Sequence, residues 1–167
     1  MASGKLKSAE ELARISETMR TGGRKLVFTN GCFDLLHVGH VRYLQQAREL
    51  GDALVVAVNS DASVRALKGE SRPLNAEEDR AEVLAALGCV DYVTIFTGER
   101  VTGLLREVRP QIYTKGGDYT VESLNAEERG ALKEVAAEIK ILPLVPGKST
   151  TAVIEKMECG NRTDAKE

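Results

Sequence analysis

The chain is expected to fold as an α/β domain with a doubly wound, five-stranded parallel sheet. Three observations predict this. Short apolar runs alternate with helical patterns along nearly the whole sequence. The runs, such as Ala53-Leu-Val-Val-Ala-Val-Asn59, are apolar at almost every position, as strands covered on both faces must be. Strand, helix and strand also recur within the length of a βαβ unit. Crossovers in such a sheet are right-handed, and ligands bind beyond the carboxyl ends of its strands, where strand order reverses.

Taken in order, Ser8 caps a helix over residues 8–20. Glu11 completes a capping box, and Leu12, Ile15 and Met19 face inward. Lys25–Thr29 is the first strand. A helix with Val41, Leu44, Ala47 and Leu50 on one face follows, closed by Gly51 as a C′ residue. Ala53–Asn59 is the second strand, after which Asp61 caps a short helix. Leu67–Pro73 is a polar loop with two cations. Asn75 and Glu78 have capping-box spacing for a helix Ala76–Leu87, whose inward face is Val83, Leu84 and Leu87. Val90–Ile95 is the third strand. Val101, Leu104, Leu105 and Val108 mark a helix that Pro110 cannot continue. Gln111–Thr114 is the fourth strand, 126–137 a helix and Lys140–Leu144 the fifth strand. A last helix opens near Ser149 and turns Val153, Ile154 and Met157 inward.

At 167 residues and 43% hydrophobic content, the chain has material for one core. A single domain is read over 1–157, with a polar tail at 158–167. With a net charge of −2, nothing suggests a general nucleic-acid or membrane footprint. Cys32, Cys89 and Cys159 are odd in number and lack metal-ligand spacing, so they read as reduced thiols. No run approaches membrane-spanning length and no signal peptide is visible. A cytoplasmic protein is expected. The N-terminal helix suits packing on the core or on a second subunit, which admits a homodimer.

The chemistry concentrates in Thr29-Asn30-Gly31-Cys32-Phe33-Asp34-Leu35-Leu36-His37-Val38-Gly39-His40. A strand, a glycine-bearing loop and a helix start together make a place where backbone N–H groups and the positive end of a helix dipole hold phosphate. The chain has two histidines, and both lie here, three apart on one side of a helical turn. The plainer reading is a helix start that carries histidines, with Asp34 as its cap. Cys32, without a free base, reads as a small loop residue.

Gly31, Phe33, Asp34, His37, Gly39 and His40 resemble the Gly-x-Phe-Asp-x-x-His-x-Gly-His signature of the cytidylyltransferase-like nucleotidyltransferases. The resemblance implies a Rossmann-like nucleotidyltransferase fold. It also implies that His37 and His40 contact nucleotide phosphates, that Gly39 lets the nucleotide lie close, and that Cys32 and Phe33 line its site. Lys68, in the loop after the second strand, would be the family's phosphate-binding lysine, with Arg72 a weaker candidate. Arg80 matches a family arginine, its ordinary alternative being a salt bridge to Glu77. Gly116, Gly117 and Asp118 follow the fourth strand and suit a base or ribose. Ser149, Thr150 and Thr151 supply hydroxyls and N–H groups at a second helix start.

The cytidylyltransferases of similar size end in Arg-Thr-x-Gly-Ile-Ser-Thr-Thr. Here Leu144 stands at the arginine position and Lys148 replaces the isoleucine. Val58-Asn59-Ser60-Asp61, Leu67-Lys68-Gly69-x-Ser71-Arg72-Pro73, Leu87-x-x-Val90-Asp91 and Lys115-Gly116-Gly117-Asp118-Tyr119 are instead similar to the family's heptose 1-phosphate adenylyltransferase branch. That branch implies ATP and a sugar 1-phosphate as substrates, with Mg²⁺ carried on the triphosphate. Two other readings stand beside it. One is a cytidylyltransferase that uses CTP with glycerol 3-phosphate or another polyol phosphate. The other is a nucleotide-binding module without catalysis.

Overall fold

The structure, a computed structural model, describes residues 4–117, 119–143 and 153–154. Its elements run α1 (Ala9–Thr21), β1 (Leu26–Gly31), α2 (Val38–Arg48), β2 (Ala53–Asn59), α3 (Asp61–Lys68) and α4 (Glu77–Ala86). They continue as β3 (Tyr92–Phe96), α5 (Thr102–Val108), β4 (Ile112–Gly116), α6 (Ala126–Glu134) and β5 (Glu138–Leu142). The five strands form one parallel sheet in the order β3-β2-β1-β4-β5. Strand order therefore reverses between β1 and β4, and the Rossmann-like arrangement places its ligand crevice there.

Period-two alternation sorts the strands' side chains into two cores. Leu26 and Phe28 of β1, with Val55 and Ala57 of β2, pack under α1, α5 and α6. Val27, Leu54, Val56 and Val58 pack on the opposite face with α2 and α4. Strands buried on both sides explain the near-continuous apolar runs. Helix α1 has the expected capping box between Ser8 and Glu11. It docks on the end of α5, where Ser16 Oγ donates to Arg109 O at 3.1 Å.

Several local expectations are corrected. Ser60, rather than Asp61, caps α3, its side chain accepting from Ser63 N–H. Asn75 does not cap α4, which starts without a side-chain cap; its Nδ2 donates to Asp34 O at 2.6 Å instead. The buried stripe of α4 is Arg80, Ala81, Leu84 and Ala85, so Val83 falls outside it and is 52% exposed. Strand β5 begins at Glu138, two residues before the expected start, in register with Ile112 of β4. Gly51 is required by crowding rather than by a helix cap. A Cβ there would meet Lys25 O and Val27 Cγ2, each at 2.7 Å. Val153 and Ile154 are helical and half-buried; the rest of the expected last helix lies outside the described residues. No helix among the described residues is long and apolar enough to cross a membrane.

Candidate active site

A cleft of about 720 Å³ opens beyond the carboxyl ends of β1 and β4. Its centre is the loop from β1 to α2. Phe33 takes a left-handed backbone (φ 48°), uncommon for a residue with a side chain, and its ring lies edge-on to His40 at 5.5 Å. Asp34, 5% exposed, does not cap α2. It accepts from the backbone N–H of Leu74 (2.8 Å) and Asn75 (3.0 Å) and pairs with Arg72 at 2.7 Å. The histidine loop and the segment after α3 are thereby tied together.

His37 itself is the N-cap of α2. Its Nδ1 accepts from Gly39 N–H at 3.1 Å, and His40 Nδ1 lies 3.4 Å from His37 N–H. A neutral imidazole whose Nδ1 accepts carries its proton on Nε2. The two rings, with centroids 4.0 Å apart, therefore each carry the ring proton on Nε2. Burial, and then the neighbouring His37 and Lys68, lower the His40 pKa to about 4. His40 is accordingly neutral at pH 7, a donor that brings no positive charge of its own.

Residues 28–156 match the family model described as Cytidylyltransferase-like. The chain belongs to the cytidylyltransferase-like family. It is 51% identical to the bifunctional protein HldE of Geotalea uraniireducens (strain Rf4) over 157 residues, 94% of this chain and 32% of that protein. It is 47% identical to the bifunctional protein HldE of Campylobacter concisus (strain 13826), over 97% of this chain and 33% of that one. The chain thus spans about a third of the length of these curated relatives. A solved structure, the lipopolysaccharide core biosynthesis protein from Thermoplasma volcanium GSS1, matches with a TM-score of 0.61 and 31% identity. That match covers 74% of this chain and 98% of the other.

In this cytidylyltransferase-like chain, Cys32, Phe33, His37, Gly39, His40, Lys68 and Gly116 all line the one cleft. Lys68 is not in a loop: it is the last residue of α3, exposed, and followed by Gly69 at φ 95°. Gly117 adjoins the lining at the end of β4. Arg80 is not on the wall. It is 2% exposed, and its guanidinium donates to Cys32 O (2.6 Å), Asn75 O (3.0 Å) and Asp61 Oδ1 (2.7 Å). It braces the histidine loop from below, and its carboxylate partner is Asp61 rather than Glu77. Asp118, Ser149, Thr150 and Thr151 lie outside the described residues.

Sequence reasoning did not single out Asn30, Tyr43, Lys115 or Glu128 as site residues, yet all four line the cleft. Tyr43 OH joins Thr29 Oγ1 (2.8 Å) and Thr114 Oγ1 (3.0 Å), pinning α2 to β1 and β4. Lys115 stands in the Lys-Gly-Gly motif and was within reach of a motif argument. Glu128 looks in sequence like any acidic residue in a helix's first turn.

Proposed function

We propose that the chain transfers AMP from ATP to D-glycero-β-D-manno-heptose 1-phosphate, giving ADP-heptose and pyrophosphate. The reading is supported by the similarity to the HldE proteins over nearly the whole chain. The observation that carries it is the pair of imidazoles set with their Nδ1 atoms against backbone N–H groups at the start of α2, in the cleft that Lys68 also lines.

An oxygen of the sugar's phosphate attacks the α-phosphorus of ATP. The new P–O bond forms as the bond from the α-phosphorus to the bridging oxygen breaks, and pyrophosphate departs with that electron pair. No covalent enzyme intermediate is needed, so the protein's work is positioning and charge stabilisation. His37 and His40 donate to phosphoryl oxygens of the transferred group, and Lys68 closes on the triphosphate from the end of α3. Ser149, Thr150 and Thr151 supply further donors, and Gly116, Gly117 and Asp118 receive the nucleoside. Among the described residues no three His, Cys, Asp or Glu side chains converge as a metal site. Mg²⁺, a cation that keeps much of its hydration and binds largely through substrate phosphates, enters as part of the MgATP substrate.

The test is pyrophosphate release with ATP and with CTP, each against a panel of sugar and polyol phosphates. ATP with the heptose 1-phosphate should be the fastest pair. Faster turnover with CTP and glycerol 3-phosphate would replace this reading with a cytidylyltransferase. Nucleotide binding without turnover on any acceptor would leave a binding module.

A further inference from the structure

One wall of the cleft carries a cluster that the histidine loop and Lys68 do not use. Asn30 at the end of β1, Lys115 on β4, Glu128 on α6 and Tyr119 after β4 all line it. The Lys115 and Glu128 side chains are 14% and 11% exposed, with charged atoms 3.7 Å apart. Lys115 Nζ donates to Asn30 Oδ1 at 3.1 Å. An ammonium has only donors, so the amide must turn its oxygen that way, leaving Nδ2 as a donor. The Tyr113 hydroxyl meets both Asn30 Oδ1 (2.8 Å) and Glu128 Oε1. Among the described residues the contacts of Glu128 fall on Oε1, leaving Oε2 as an acceptor.

Charge decides what such a wall can hold. A phosphate would gain from Lys115 and be repelled by Glu128 beside it, and the pair's net charge is zero. A ring bearing hydroxyls fits better, because each hydroxyl donates one hydrogen bond and accepts others. The carboxylate takes the donation, while ammonium and amide supply the reverse. Tyr119, 45% exposed, adds a ring face alongside, and its centroid is 5.4 Å from Lys115 Nζ.

We infer that Asn30, Lys115 and Glu128 form a recognition site for the adjacent hydroxyls of a sugar ring. This rests on the proposed reaction, which brings two such rings into the cleft: the ribose of ATP and the acceptor sugar. Their chemistry is shared, so the experiment must separate them.

The variants are Glu128→Gln and, should that one not fold, Lys115→Gln. Steady-state KM and kcat are read for ATP, 2′-deoxy-ATP, 3′-deoxy-ATP and the sugar 1-phosphate. Calorimetric Kd values are read for the three nucleotides, and thermal unfolding confirms that each variant is folded. Losing a charge-assisted hydrogen bond should raise the affected KM about tenfold or more. If the ribose sits there, the wild type prefers ATP over one deoxy analogue and the variant loses that preference. If the acceptor sits there, its KM rises and the nucleotide constants stay. Folded variants with both KM values and the ribose preference unchanged would overturn the inference, as would a fall confined to kcat. A wild type that releases no pyrophosphate with any pair sinks the parent reaction instead. In that case the calorimetric arm still reads ribose discrimination.

Discussion

His37 and His40 stack at 4.0 Å between ring centroids, and each spends its Nδ1 on a backbone N–H of the same helical turn. One arrangement thus serves two ends. The first turn of α2 has orphan N–H groups to satisfy, and the imidazoles satisfy two of them. That capping in turn fixes each tautomer and aims Nε2–H away from the helix.

Capping and catalysis can be separated at His37. Serine is a good N-cap but cannot reach a phosphate. His37→Ser should therefore unfold in urea close to the wild type while losing about 10²–10³ in kcat. His40→Ala should lose a similar factor with the fold intact. Either variant keeping more than about a third of wild-type turnover would take that ring out of the chemistry.

The lowered His40 pKa has a stability consequence with a definite sign. The folded protein holds this imidazole neutral down to about pH 4, whereas the unfolded chain protonates it near 6.5. The unfolded state binds more protons between those values, so stability is full above pH 6.5 and falls as pH drops toward 4. The loss is on the order of 2 kcal/mol after discounting for partial exposure. His40→Gln should flatten that part of the curve in urea titrations at pH 4.5 and 7. An NMR titration placing the His40 midpoint at 6 or above would show that its surroundings do not hold the ring neutral.

Arg80 is a brace, and its removal should register as lost stability. Arg80→Met strips donors from two carbonyls and leaves Asp61 without its partner. The expected cost is about 2–4 kcal/mol, at the lower end because Asp61 is partly exposed. Denaturant unfolding measures it. A rise in the KM for ATP at unchanged stability would show instead that the guanidinium reaches the nucleotide.

Most of the sheet was legible because strands buried on both faces have no choice but to be apolar, and the histidine loop because its residue types are spaced by one helical turn. What escaped depends on contacts between distant segments. Asn75 has the spacing of a cap, but Asp34, forty-one residues away, claims it. Gly51 looks like a helix stop, but the constraint is the passing backbone at Lys25. Arg80 carries a family arginine's place, yet the loop it supports lies above it, so burial decides its use. Glu128 has no local signature at all; only the packing of α6 against β4 brings it beside Lys115.

Gly51 makes that crowding measurable. With 2.7 Å to both Lys25 O and Val27 Cγ2, an added methyl must push the start of β1 away from the end of α2. Gly51→Ala should cost about 1–3 kcal/mol, the range of an overpacked interior. The KM for ATP should hold, since the site lies at the opposite end of β1. A variant as stable as the wild type would mean this close approach relaxes freely.

Lys68 offers the opposite case, an exposed side chain whose loss should leave stability alone. Its ammonium lies close enough to help hold the His40 pKa down. Lys68→Ala should therefore do two things together. The kcat/KM for ATP should fall about tenfold or more, as for a lost hydrogen bond to a charged group. The His40 midpoint, followed by NMR, should move up from about 4, because one of the charges opposing protonation is gone. Lysine and imidazole would then be reporting the same enclosed volume. A fall in activity with the His40 titration unmoved would place Lys68 on a different part of the triphosphate, away from the ring pair.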